Sequence, residues 1–138
     1  GITSEAASLA GSLELDKLIV VYDHNGVSID GPTEITFIDD IAKRFESANW
    51  QVISAVDGSS FSDLETAFKK AKKDQKRPTL IIADTIIARG IAAKEGDSSA
   101  HASPLGKEEI LEMKKKAGLP PKDFAVAEEV DDYFKEIA

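Results

Sequence analysis

Apolar and polar positions come in blocks along this chain, and the blocks define its elements. Residues 18–22 (LIVVY) form a continuous apolar run, the pattern of a strand buried on both faces of a parallel sheet. Residues 50–56 (WQVISAV) and 79–87 (TLIIADTII) read the same way, and the last is apolar enough to be central. Between the strands the apolar spacing switches to the helical three-and-four period. Residues 2–15 place Ala6, Leu9, Ala10 and Leu13 on one face, with Thr3 or Ser4 as cap and Glu5 in the first turn. Residues 35–48 gather Phe37, Ile38, Ile41, Ala42 and Phe45; residues 61–74 gather Leu64, Ala67, Phe68 and Ala71. Residues 107–117 form a helix closed by Gly118 and Pro120-Pro121. A short extended piece at 124–126 and a final helix at 128–137 follow.

Strands alternating with helices imply βαβ units and a parallel sheet. The expected fold is α/β, a parallel sheet with helices on both faces, formed by residues 1–138 as a single domain. The leading helix reads as a crossover whose own strand stands upstream, so the fold is expected to be incomplete at its N-terminus. Position 1 is Gly without an initiator Met, in line with a longer or processed polypeptide.

Composition narrows the field. The 138 residues suit one domain, and 17 Lys+Arg against 25 Asp+Glu give a net charge of −8. That balance argues against a nucleic-acid or anionic-membrane partner, which needs a basic face. There is no cysteine, which excludes disulfides, thiolate catalysis and Cys-based zinc sites and is compatible with a cytoplasmic setting. No apolar stretch reaches the roughly 18 residues of a membrane span, and the N-terminus lacks the basic start of a signal peptide.

Three places rise above scaffold. The first is the turn at residues 23–26, Asp-His-Asn-Gly, at the carboxyl end of a strand, where open α/β sheets hold ligands. Hard oxygen donors with a glycine that lets a following carbonyl turn inward suit part of a Mg²⁺–phosphate site; Asn-Gly is equally a common strand-ending turn. The irregular loop 27–34 follows it. The second is His101, one of two histidines, in the long loop 88–106. Loops longer than about 12–15 residues in a compact domain are usually functional or disordered. His101 can bind a phosphate or move a proton, or simply face water. The third is Thr85-Ile86-Ile87, either the floor of an apolar pocket or plain core. The small residues of 6–12 allow close approach to a backbone or to a cofactor, and the lysines of 69–73 read as a solvated helix end or an anion site. GxGxxG, GxxxxGK[ST] and HExxH are absent.

Residues 1–31, GITSEAASLAGSLELDKLIVVYDHNGVSIDG, together with DTIIARG and HASPLG in that order, resemble the diphosphate-binding domain of transketolases. The resemblance runs from Gly1 to about Gly118. It implies a thiamine diphosphate-binding fold and transfer of a two-carbon ketol unit between sugar phosphates, as in the pentose phosphate pathway, with thiamine diphosphate and Mg²⁺ (or Ca²⁺). It implies that Asn25 and the backbone carbonyl of Val27 ligate the metal. It implies too that Val27, Ile29 and Ile87 line the cofactor, and that His101 contacts its diphosphate and faces the substrate channel in a catalytic role. It further implies partners: the remaining transketolase domains or subunit, in a homodimer whose partner supplies the Glu that activates the aminopyrimidine. Three departures stand out. The GDG sequence with its metal-binding Asp is expected just before Gly1. Ala102 replaces a Gly, and no second His stands near Ser98. Ala88-Arg89 replaces a Gly-aromatic pair. The isolated chain is therefore expected to be inactive. A non-catalytic α/β interaction module and a different thiamine diphosphate enzyme are the competing readings.

Overall fold

The computed structural model describes residues 1–137. Its centre is strand β5 (Thr79–Asp84), flanked in parallel by β1 (Ile19–His24) and β4 (Gln51–Asp57) in the order β1-β5-β4. Thr79 through Ala83 are all buried, with Ile81 fully shielded from solvent and Leu80 at 1% exposure. Complete burial of a Leu or Ile side chain stabilises by about 1.5–3 kcal/mol each, so this strand anchors the sheet. Its alternate residues face two separate cores. Leu80 and Ile82 pack with Ala7, Ala10 and Trp50; Ile81 packs with Ile53, Val56, Ala67 and Ala71. Helices α1 (Ile2–Ser12) and α2 (Ile41–Ser47) cover the first face, and α3 (Phe61–Ala71) the second. This is the α/β fold with a parallel sheet and helices on both faces that the periodicity implied.

Local chemistry explains the element ends. Asp40 accepts from Lys43 N at 3.0 Å and caps α2; Ser60 accepts from Asp63 N at 3.3 Å and caps α3. Lys69 and Lys70 complement the C-terminal dipole of α3. Helix α1 starts at once from Gly1 with no side-chain cap, so Thr3 and Ser4 lie inside it. Two further helices, α4 (Lys107–Lys116) and α5 (Glu128–Ile137), follow the long loop. In α4, Gly106 N donates to Glu109 Oε2 at 2.6 Å, and Lys114–Lys116 occupy the last turn.

Several expectations need correction. Among the described residues the run at 18–22 lies at the side of the sheet, with β5 as its partner strand, and Val21 is 46% exposed. Parallel pairing carries β1 on through Asp23 and His24, so the turn is shorter than its composition suggested. The loop at 27–34 contains a two-stranded antiparallel hairpin, β2 (Val27–Ser28) with β3 (Gly31–Pro32), and a 3₁₀ turn, Thr33–Ile35. The helix expected at 35–48 starts only at Ile41. Its first part is irregular because Asp39 and Asp40 fold back onto Arg44 and Lys43, at 2.6 and 2.9 Å, and Asp40 holds the cap. Ile38 is then 92% exposed. The third strand stops at Asp84, short of Ile87, and residues 124–126 form no strand.

The small residues of α1 serve close packing. Trp50 Nε1 donates to Ala7 O at 2.8 Å, and Asn49 Nδ2 to Gly11 O at 3.2 Å. A Cβ on Gly11 would lie 1.7 Å from the carbonyl oxygen of Ala48. Gly→Ala inside a helix ordinarily stabilises by about 0.5–1 kcal/mol. Here the sign reverses: Gly11→Ala is expected to lose about 1–3 kcal/mol through overpacking, read by urea unfolding, and a gain in stability would contradict the packing described.

Candidate functional site

The site grows out of the carboxyl ends of β1 and β5. In-register pairing sets Asp23 beside Ala83 and His24 beside Asp84. Three bonds then tie the strand ends. His24 Nδ1 donates to Asp84 Oδ1 at 2.7 Å, Thr85 N donates to the His24 carbonyl at 3.3 Å, and Thr85 Oγ1 donates to the Asp23 carboxylate. The Asp84 carbonyl accepts from Gly58 N at 2.9 Å, which brings the end of β4 into the same edge. Thr85 thus fastens strands instead of flooring an apolar pocket.

From this edge the chain turns through Asn25 and Gly26, the latter at φ +73°, a left-handed conformation that favours glycine. Asn25 Oδ1 accepts from Val27 N at 3.1 Å, an Asx turn that aims the amide oxygen into the bend. Thr33 N donates to Gly26 O at 2.9 Å, and Ser28 Oγ to Gly31 O at 3.0 Å. These bonds close the β2–β3 hairpin and place Ile29 at its tip, 65% exposed.

The loop at 88–106 has its own internal bonding. Gly90 N donates to Glu95 Oε2 at 3.1 Å, and Lys94 Nζ reaches the carbonyls of Ser103 and Pro104 at 3.0 and 3.1 Å. Asp97 Oδ1 accepts from Ser99 N at 2.8 Å and caps the 3₁₀ turn Ser98–His101, which packs against β2. His101 Nε2 consequently lies 3.3 Å from the Val27 carbonyl oxygen, a contact between residues 74 positions apart.

Asn25, Val27 and His101 therefore converge. Ile29 projects from the same hairpin. Ile87, half-buried, lies two residues beyond Thr85, and its carbonyl accepts from Gly96 N at 2.9 Å. Composition alone did not single out Asp84. Its signal was a lone carboxylate closing the most apolar strand, opposite His24 once the strands pair in parallel. A cavity of about 520 Å³ adjoins this edge, lined by Tyr22, His24, Gly26, Phe37 and Asp40 among others. A separate apolar groove of about 530 Å³ lies on the α1–α2 face, over Ala7, Val20, Phe45 and Leu80. Among the described residues, no cluster of three His, Cys, Asp or Glu side chains could hold a metal ion, and no helix is long and apolar enough to cross a membrane.

The donor chemistry is specific nonetheless. Asn25 Oδ1 and Val27 O are neutral hard oxygens, while the neighbouring carboxylates of Asp23 and Asp84 are taken up by Thr85 and His24. Two neutral oxygens hold a divalent cation poorly by themselves. They suit one that arrives with phosphate oxygens of its own, and an adjacent imidazole suits the same phosphate.

A parallel sheet with a polar turn at its carboxyl edge places the chain among α/β domains whose ligands sit at the strand ends. The family described as transketolase, thiamine diphosphate binding domain, matches residues 1–138, and the chain belongs to it. It is 44% identical over 135 residues to the transketolase of Bacillus subtilis, covering 97% of this chain and 20% of that protein. It superposes on the Campylobacter jejuni transketolase crystal structure with a TM-score of 0.90 at 38% identity, covering 97% of this chain and 21% of the other. It matches a Pichia stipitis transketolase crystallised with sedoheptulose-7-phosphate at a TM-score of 0.90 and 37% identity, covering 99% of this chain and 20% of the other. The chain thus spans about a fifth of the length of the relatives it matches.

Hydrogen bonds from Ser99, side chain and backbone, hold the Asp97 carboxyl below its ordinary value. A depressed carboxylate contributes stability that is complete above the unfolded-state value and lost as the pH falls through the folded-state one. Acid titration is therefore expected to release the Ser98–His101 turn below the ordinary aspartate range, read from the Ser99 amide resonance. Asp97→Asn should abolish that titration; an unchanged Ser99 titration in the variant would contradict it.

Proposed function

We propose that this chain is the metal- and diphosphate-holding segment of a transketolase that transfers a two-carbon ketol unit between sugar phosphates. The observation that carries the reading is the meeting of His101 Nε2 with the Val27 carbonyl at 3.3 Å, beside the Asn25 Asx turn. The Pichia stipitis relative, crystallised with a sugar phosphate, supports the substrate class.

In this reading Asn25 Oδ1 and the Val27 carbonyl hold Mg²⁺ or Ca²⁺, and His101 donates to the cofactor diphosphate. Bound thiamine diphosphate supplies an electron sink for carbanion chemistry. The chain's own part is orientation and charge. The His101–Val27 contact is long for a hydrogen bond, so exchanging it for ligand bonds on both sides costs little. It also keeps the imidazole and the carbonyl together beforehand, and such preorganisation lowers the cost of binding. Val27, Ile29 and Ile87 supply apolar surface for the cofactor ring; the exposed tip residue Ile29 is one that a bound ring would cover. Near the substrate channel, His101 can hold or move a proton at a ring nitrogen. The remaining donors, the aminopyrimidine pocket and the sugar-binding groups belong to other parts of the enzyme. A homodimeric assembly, a cytoplasmic setting and a place in the pentose phosphate pathway belong to the same proposal.

Two measurements test it. Asn25→Ala in the complete enzyme should weaken Mg²⁺-dependent cofactor binding by more than the roughly 10–100-fold typical of losing an outer-shell partner, with ketol transfer falling in parallel. Unchanged metal-dependent activity would favour a non-catalytic module. In calorimetric titration with thiamine diphosphate and Mg²⁺, the isolated 138-residue chain should show no micromolar binding. Micromolar affinity would mean that the half-site suffices on its own.

A further inference from the structure

We propose that the His24–Asp84 pair is a positioning latch for the Asn25–Val27 oxygens, a role that rests on the cofactor reading above. His24 directly precedes Asn25, so any swing of the β1 end is passed to the Asx turn. Its Nδ1 is bonded to Asp84 Oδ1 at 2.7 Å across 60 residues of sequence. Its ring lies 5.6 Å from that of Tyr22. Asp84 is fixed in turn, because it ends the most buried strand and its carbonyl accepts from Gly58 N at 2.9 Å. The imidazole thus joins the turn to the end of the most buried strand. The bond sits outside the core, with the two side chains 49% and 58% exposed, so the overall fold does not depend on it. Two neighbouring bonds also join the strand ends: the Thr85–Asp23 bond stops one residue short of the turn, and Thr85 N reaches the His24 carbonyl at 3.3 Å, longer than an ordinary hydrogen bond, so the side-chain bond is the short tie at this residue.

Nδ1 faces the carboxylate, and His24 also lines the cavity bounded by Tyr22, Gly26 and Phe37. Neither nitrogen is needed as a metal ligand. The latch acts through backbone geometry alone, which makes His24 and Asp84 positioning residues and separates them from Asn25.

The test uses the complete enzyme with Mn²⁺ in place of Mg²⁺. Free Mn²⁺ is counted by electron paramagnetic resonance at saturating thiamine diphosphate, and folding is followed by near-ultraviolet circular dichroism. His24→Ala and Asp84→Ala should each weaken Mn²⁺ binding about three- to fivefold, the range open to a half-exposed pair. The double variant should be no weaker than either single one, because both remove the same bond. His24→Asn, whose amide NH₂ sits where Nδ1 does, should restore affinity to within about 1.5-fold of the parent protein. Asp84→Ala approaches the pair from the other strand, so one poorly folding variant leaves the test intact. Parent-like Mn²⁺ affinity in the single variants, with or without a lowered melting temperature, would overturn the latch. So would losses that multiply in the double variant. Asn25→Ala run alongside separates the two claims. If it also binds Mn²⁺ like the parent, the cofactor reading fails; if it alone loses the metal, only the latch fails.

Discussion

Burial of β5 on both faces is the constraint from which the rest of the structure follows. Thr79 to Ala83 are shielded by α1 and α2 on one side and by α3 on the other. A slip of one residue would exchange Leu80 and Ile82 with Ile81, setting side chains of the wrong shape in both cores and moving the strand end away from its partners, so the register is held by packing fit. Fixing β5 fixes where β1 ends, because the two pair in step from Ile19–Thr79 to His24–Asp84. The position of Asn25 is thereby decided about 60 residues away in sequence, by side chains with no chemistry of their own.

Magnitudes divide the labour between core and site. Each fully buried aliphatic side chain contributes about 1.5–3 kcal/mol, whereas exposed ion pairs contribute about 0–1 kcal/mol. The pairs at the site edge, His24–Asp84 included, belong to the second class. They aim groups without holding the fold together. The Asx turn at Asn25, the hairpin behind it and the Lys94 and Asp97 bonds of the long loop work in the same way. Each is modest, and together they bring Val27 and His101 to one place. A site assembled from weak bonds on a strong sheet can exchange partners when ligands arrive without endangering the domain.

The parts of this arrangement that were legible in the sequence are those with one dominant cause. The central strand declared itself through TLIIA, and the end of α4 through Gly118 and Pro120-Pro121. The family was legible from DHNGVSIDG and HASPLG. What escaped depended on partners distant in the chain. Asp23 and His24 have the composition of a turn, yet β5 draws them into β1. Phe37 and Ile38 fit a helical stripe, but the cap at Asp40 lies beyond them. The β2–β3 hairpin is only two residues a side, too short for periodicity to register. Asp84 gains its meaning only when parallel pairing sets it beside His24.

Membership of the transketolase thiamine diphosphate-binding family and the meeting of His101 with Val27 beside Asn25 lead to the central proposal, that these residues form part of a metal–diphosphate site. The most direct measurement is a crystal structure of the complete enzyme grown with thiamine diphosphate and Ca²⁺, with the metal located by anomalous scattering. The account predicts a Ca²⁺ peak about 2.3–2.6 Å from both Asn25 Oδ1 and the Val27 carbonyl oxygen, with His101 turned from that carbonyl to the diphosphate. A metal bound elsewhere, with the His101–Val27 contact still closed, would contradict it.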